Sequence, residues 1–288
     1  MLAGKKLIFK ARQRYGRKGT YMNGNLELVK SEVEKELGIN TKIISCSKNG
    51  INLEGICFLN DSGCSPIIYY HGEPIGDFVN MAKEAFRQNR PKVDIEVLKD
   101  KEYVLKNCRL AIQRQTDDPI LKRSCLNLEL YIRLKLSATM SVKITKDLLT
   151  LSGLTGYEVW KAAKANTERY FDITNMEEMM GLMGIGNVPH LFDVVTNFER
   201  MHGAVALAFP DLFKQYCLDR NLDSVVLLPS SIHELLLLED DNVDYMCLAE
   251  MVQSVNEAEV SPFEQLDPVT YRYDLATNEI SIVAAYER

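Results

Sequence analysis

Apolar residues recur with two different periods along this chain, and the two periods predict a mixture of helices and strands. Residues 25–38 carry apolar side chains at helical spacing and end in a glycine, which is typical of an amphipathic helix. Three short apolar runs at 41–46, 51–59 and 66–70 are separated by turn-forming residues, which predicts antiparallel strands. With a second amphipathic helix over 75–89, this part predicts two helices on a small sheet.

The rest of the chain predicts further strands and helices. Residues 126–136 alternate between apolar and polar side chains, which predicts a strand with one buried and one wet face. Thr155 is followed three residues later by Glu158, the pattern of a capping box. The other predicted elements are strands at 139–145, 202–209, 223–228 and 231–238, helices at 146–152, 155–168, 210–220 and 245–256, and a closing hairpin at 271–286.

These elements place the chain in the α+β class, with antiparallel sheets and helices packed on their faces. The 288 residues are enough for one large domain or two modest ones. We predict a basic N-terminal arm at 1–21, a small α/β subdomain at 22–95 and a larger α+β subdomain at 96–288.

The composition is ordinary for a globular protein, with 46% hydrophobic and 26% charged residues. No apolar run approaches the roughly 18 residues of a membrane span, and the N-terminal stretch lacks the apolar core of a secretory signal. Seven cysteines without a CxxC pair indicate free thiols in a reducing compartment. The sequence therefore predicts a cytoplasmic protein with no membrane, metal or cofactor.

Positive charge is concentrated at the N-terminus. The chain carries −6 in total, but residues 1–20 hold seven cations and no acid, so the remainder carries −13. The arm could bind nucleic acid, although the acidic body would repel phosphate. Alternatively, translation starts at Met22, because Arg17-Lys18-Gly19 can be encoded by a purine-rich ribosome-binding stretch. The candidate binding residues of the arm are Lys5, Lys6, Arg12, Arg14, Arg17 and Lys18.

A polar turn between two apolar runs supplies the candidate chemistry, within Leu227–Glu234 (LLPSSIHE). A small serine hydrolase is one interpretation, although the glycines of a nucleophile elbow are absent. Leu237 stands where a zinc-binding HExxH motif needs its second histidine. The other interpretation is structural, with the turn holding the His202–Gly203 loop by hydrogen bonds to its backbone. The candidate catalytic residues are Ser230, Ser231, His233 and His202.

Three blocks of the C-terminal third occur in a specific order. They are His202–Pro210 (H-G-A-x-x-L-x-x-P), Leu227–Glu234, and Val255–Asp274 with its closing Tyr-Arg-Tyr-Asp. In these blocks the chain resembles a family of uncharacterised bacterial proteins known only as a domain of unknown function. The resemblance implies one cytosolic architecture and supplies no activity, cofactor or catalytic residue.

The leading prediction is a cytosolic binding or regulatory protein that acts through contacts with a protein partner and has no chemistry of its own. The alternatives are the serine hydrolase and a nucleic-acid-associated protein that binds through the arm.

Overall fold

The chain folds into antiparallel sheets covered by helices, so the α+β prediction is confirmed. The computed structural model describes residues 26–59, 67–88, 95–137, 140–175 and 192–287. Within these ranges the strands form three sheets, of three, four and six strands.

The first unit has the predicted order of helix, three strands and helix. The strands form a sheet in the order β1-β2-β3, and both helices bury their apolar stripes in one shared core with it. The bounds are Leu26–Leu37 for α1, Thr41–Lys48 for β1, Ile51–Phe58 for β2, Ile67–Tyr69 for β3 and Ile75–Gln88 for α2.

A four-stranded sheet follows, in which β4, β5 and β7 each pair with β6. The predicted capping box is present, since Thr155 and Glu158 bond each other's backbone N–H groups. The bounds are Ile95–Leu98 for a 3-10 turn, Lys101–Asn107 for α3, Cys108–Arg114 for β4, Lys122–Cys125 for β5, Leu128–Lys135 for β6, Ser141–Lys143 for β7, Lys146–Ser152 for α4 and Gly156–Glu168 for α5.

The last sheet has six strands in the order β13-β12-β10-β11-β9-β8. Its core is continuous with that of the four-stranded sheet, because buried residues of both lie in one cluster. The bounds are Phe171–Asn175 for β8, Asp193–Asn197 for β9, Gly203–Ala208 for a 3-10 helix, Pro210–Arg220 for α6, Ser224–Ser231 for β10, Glu234–Glu239 for β11, Tyr245–Ala258 for α7, Val269–Asp274 for β12 and Glu279–Ala285 for β13.

Two strand predictions in this region were wrong. Residues 203–208 form a 3-10 helix, and all but Ala208 are buried, because small side chains let the compact turn lie between two sheets. The strand predicted at 231–238 begins only at Glu234, since Ser231 still belongs to β10 and a two-residue turn follows it.

The prediction that one face of β6 is exposed to solvent was also wrong. Its polar residues Glu129 and Arg133 are only 5% and 7% exposed. Glu129 accepts hydrogen bonds from Gln113 and Thr116 at 2.7 Å each, so its charge is satisfied inside the protein. The alternation of apolar and polar residues in β6 therefore reflects a polar face that is covered by other polar side chains.

A turn residue fastens the first unit to the rest. Asn49 has a left-handed backbone (φ 52) and is only 4% exposed. Its side-chain Nδ2 donates to the carbonyl of Gln265 at 2.5 Å, and its Oδ1 accepts the backbone N–H of Arg114 at 2.7 Å. Asn49 thus bridges two distant segments of the larger part.

We expect Asn49→Gly to lower the free energy of unfolding by about 1–3 kcal/mol, because glycine keeps the left-handed turn but loses two buried hydrogen bonds. The matched control is Asn242→Gly, since Asn242 has φ 53 and bonds only the neighbouring Asp241 side chain at the surface. Urea unfolding measures both, and equal stability of the two variants would contradict the anchoring role.

Candidate functional site

The predicted polar turn connects β10 and β11, and its serines bond within the turn. Ser231 Oγ accepts the backbone N–H of His233 at 3.0 Å, and Ser230 Oγ donates to Glu234 Oε1 at 3.2 Å. Neither contact is to an imidazole nitrogen. The pairing of nucleophile and base that a serine hydrolase needs is therefore not formed by these contacts.

His233 uses both ring nitrogens in internal contacts. Nδ1 accepts the backbone N–H of His202 at 3.2 Å, and Nε2 lies 3.3 Å from Glu264 Oε1. In the neutral ring, Nδ1 is then the bare nitrogen and Nε2 carries the proton, which it donates to Glu264. The ring is a bridge between two chain segments.

The turn does hold the backbone that begins at His202 and Gly203, but the acceptors are His233 and Ile232, whereas Ser230 and Ser231, which were expected to take part, bond within the turn. The carbonyl of His233 accepts the N–H of Gly203 at 2.9 Å and the hydroxyl of Thr196 at 3.0 Å. The carbonyl of Ile232 accepts the N–H of Ala204 at 3.3 Å. The turn therefore holds the first residues of the 3-10 helix.

Gly203 permits this close approach. A Cβ at this position would lie 2.5 Å from the carbonyl oxygen of His233 and 2.6 Å from Thr196 Cα. Both are backbone atoms that cannot rotate away, so only glycine fits.

The hydrogen bonds between the turn and the start of the 3-10 helix form a clamp, and an exposed apolar surface lies beside it. We call the residues of this surface, Tyr170, Phe198 and Met201, the aromatic patch. Their exposed fractions are 40%, 72% and 37%. Phe171 pairs with Asn197 across β8 and β9, which places Tyr170 and Phe198 at the same end of the strand pair.

The turn that carries the patch is held by one side chain. Asn197 Oδ1 accepts the backbone N–H groups of Glu199 at 3.0 Å and Met201 at 3.4 Å, and Nδ2 donates to the carbonyl of Met201 at 2.6 Å. An exposed phenylalanine is thus presented on a turn with defined geometry.

One arginine contacts the patch and two more are adjacent to it in sequence, although the protein is acidic overall. Arg109 lies over the Tyr170 ring, 4.9 Å from its centroid, and donates to its hydroxyl at 3.4 Å. Arg169 and Arg200 are exposed and stand next in sequence to Tyr170 and Met201.

A small pit of about 20 Å³ opens beside the patch. Two buried polar atoms around it, Arg133 Nε and His202 Nδ1, have no hydrogen-bond partner among the described residues. Burial lowers the pKa of His202 well below 6.5, and the charge of Arg133 lowers it further. The polar and aromatic side chains around the pit include those of Arg109, Arg133, Tyr170, Asn197, Glu199 and His202.

A larger cleft of about 370 Å³ lies elsewhere, between the loop after β4 and strand β5. Its buried acid, Glu129, accepts hydrogen bonds from Gln113 and Thr116 and pairs with Lys122 at 3.1 Å. With its buried charge satisfied, this cleft offers less to a ligand than the pit does.

The structure brings together only part of the predicted site. His202 and His233 lie close, with ring centroids 5.6 Å apart, while the serines face other partners. The six cations of the arm lie outside the described residues, so their role stays a prediction. The sequence analysis missed Arg109, Tyr170 and Phe198, which no local motif marks.

The described ranges also bear on metal binding and on membrane insertion. No group of three or more His, Cys, Asp or Glu side chains there could hold a metal ion. None of the helices found there combines the length and apolar character needed to cross a bilayer.

Residues 21–275 match a family of unknown function, DUF5688. The chain belongs to this family. The resemblance seen in the sequence is thereby confirmed, and family membership brings no activity with it. No curated protein and no solved structure matches the chain.

We expect Gly203→Ala to lower the free energy of unfolding by about 3 kcal/mol, because the added methyl group meets backbone atoms of His233 and Thr196. Gly76→Ala is the control, since nothing lies within 4 Å of the Cβ there and alanine is a good helix former. Chemical denaturation compares the two, and an equally mild effect at Gly203 would contradict the clamp.

We expect His202 to make the protein less stable in mild acid. Its folded-state pKa lies below 6.5, so as the pH falls through about 6.5 the unfolded chain takes up a proton that the folded chain refuses. This costs about 1.4 kcal/mol between about pH 7.5 and pH 5.5. His202→Asn tolerates the left-handed backbone (φ 60) and does not titrate, so it should lose that part of the pH dependence. Identical pH profiles in urea titrations would refute this role of His202.

Proposed function

We propose that this protein is a cytoplasmic binding protein that acts through protein contacts, and that the aromatic patch is its contact surface. The observation that carries the proposal is Phe198, 72% exposed on the turn that Asn197 holds. Aromatic residues dominate the binding energy of protein interfaces, and a preorganised loop loses little entropy on binding.

The charges around the patch indicate the chemistry of the partner. The body of the chain is acidic, yet Arg109 lies over the Tyr170 ring, and the exposed Arg169 and Arg200 are next in sequence to Tyr170 and Met201. A locally cationic, aromatic surface complements an acidic protein segment with an apolar residue at its centre. Repulsion from the rest of the body would disfavour a different docking face.

A protein partner is favoured over nucleic acid by the same charges. Residues 21–288 carry −13 in sum, and such a body repels a continuous phosphate backbone. The nucleic-acid alternative rests on the N-terminal arm alone. The hydrolase alternative gains no support from the contacts of Ser230 and Ser231.

The cysteines support the cytoplasmic part of the proposal. Five cysteines in the described ranges are free thiols, namely Cys46, Cys108, Cys125, Cys217 and the exposed Cys247. Unpaired cysteines of this number are typical of proteins kept in a reducing compartment.

We expect Phe198→Ser to weaken binding of a specific protein partner about tenfold or more, because an interface anchor is lost. The matched control is Leu218→Ser, since Leu218 is 56% exposed on α6, away from the patch. The partner is first identified as the protein retained by the wild-type full chain, and it is then purified. Its dissociation constant is measured for the wild type and for each of the two variants.

A partner held equally by wild type and Phe198→Ser would overturn the proposed surface. Retention of nucleic acid in place of protein would overturn the proposed class of partner.

A further inference from the structure

We infer that the pit beside the aromatic patch binds one carboxylate group, held by Arg133 and His202. The inference rests on the proposed function only for the source of that carboxylate, which is either an acidic side chain of the partner or a small free carboxylate. The site itself consists of residues of this chain alone.

Arg133 is a buried cation with too little negative charge around it. Its side chain is 9% exposed, and the one carboxylate that contacts it among the described residues is Glu199, at 3.6 Å. Glu199 also pairs closely with Lys135, so its charge is shared. A buried charge that is only partly compensated is unfavourable unless another partner is supplied.

The sheet places further cations beside Arg133. In the register of β4, β6 and β7, Arg133 stands directly opposite Arg109 on one side and Lys143 on the other. Lys143 is paired with Asp118 at 2.7 Å, whereas the contacts of the Arg109 guanidinium within the described ranges are to backbone carbonyls and Tyr170. Like charges at directly opposed positions repel, and an anion between Arg109 and Arg133 would remove that repulsion.

The unpartnered atoms give the site its geometry. Arg133 Nε is a donor and His202 Nδ1 becomes one when it carries the ring proton, and both are buried without a partner at the pit. An unsatisfied buried donor costs more than an ordinary hydrogen bond contributes, so two of them favour a ligand that accepts from both.

The size of the pit selects the ligand. About 20 Å³ admits one oxygen-sized group and no more. A carboxylate can place one oxygen inside and leave the rest at the half-exposed mouth, where Arg109 and Tyr170 lie. Sulfate and phosphate carry their remaining oxygens in a bulkier tetrahedron, so we expect the planar carboxylate to fit the mouth better.

The test is a titration of the full ¹⁵N-labelled chain with sodium formate up to about 100 mM, since single-group sites bind weakly. At constant ionic strength, we expect saturable shifts of the Arg133 Nε–H and His202 ring resonances with formate and none with sulfate. Arg133→Lys keeps the charge but lacks Nε–H, and it should weaken formate binding about tenfold or more, as read from the His202 ring.

Arg109→Gln provides a second variant should Arg133→Lys fail to fold, and it should weaken formate binding as well. Arg123→Gln is the control with the same change of charge, since Arg123 lies over Trp160 at 4.4 Å, outside the pit. No saturable shift with formate, or equal affinities in wild type and the folded pit variants, would overturn the site.

A competition experiment identifies the source of the carboxylate. Displacement of the bound partner by formate but not by sulfate assigns the pit to an acidic side chain of that partner. Partner binding that formate leaves unchanged assigns it to a small free carboxylate. Because the formate titration uses the isolated chain, a failure of the Phe198→Ser prediction leaves its outcome unaffected, and the two proposals fail separately.

Discussion

The close contact between Gly203 and the turn after β10 is the constraint on which the larger part of the fold depends. The carbonyls of Ile232 and His233 accept the first two N–H groups of the 3-10 helix, at a spacing that leaves no room for a Cβ. That helix lies in the same core as both sheets, with Val205 and Leu207 buried in one cluster with residues of β4 and β11. Because the helix fills the space between the layers, its position fixes how the two sheets meet.

The same constraint produces the surface proposed to bind. The chain must leave β9 at Asn197 and reach Gly203 within a few residues, and it does so through left-handed backbones at Arg200 (φ 53) and His202 (φ 60). Such conformations cost energy and persist only where the surroundings enforce them. Here the hydrogen bonds of Asn197 and His233 enforce them, and they direct Phe198 outward and the His202 ring toward the pit.

The local features of this fold could be predicted from the sequence, and the features created by tertiary contact could not. Helix α5 has its cap and its periodicity in consecutive residues, so the prediction held. The 203–208 segment was taken for a strand because a helix buried between two sheets has no polar face to give it a period. Tyr170 and Phe198 become neighbours only through the pairing of β8 with β9, which no short motif encodes.

Hydrogen-bond satisfaction separates the polar residues that have a structural role from those of the proposed binding site. His233, Ser230 and Ser231 stood out in the sequence, yet each has an internal partner that accounts for its presence. Arg133 looked like an ordinary surface charge on an alternating strand, yet it is buried, opposed by Arg109 and left with an unpartnered donor. His233, Ser230 and Ser231 stood out in the sequence because their hydrogen bonds hold the turn. Unsatisfied charge, which appears only once the sheet has formed, is what supports the proposed carboxylate site.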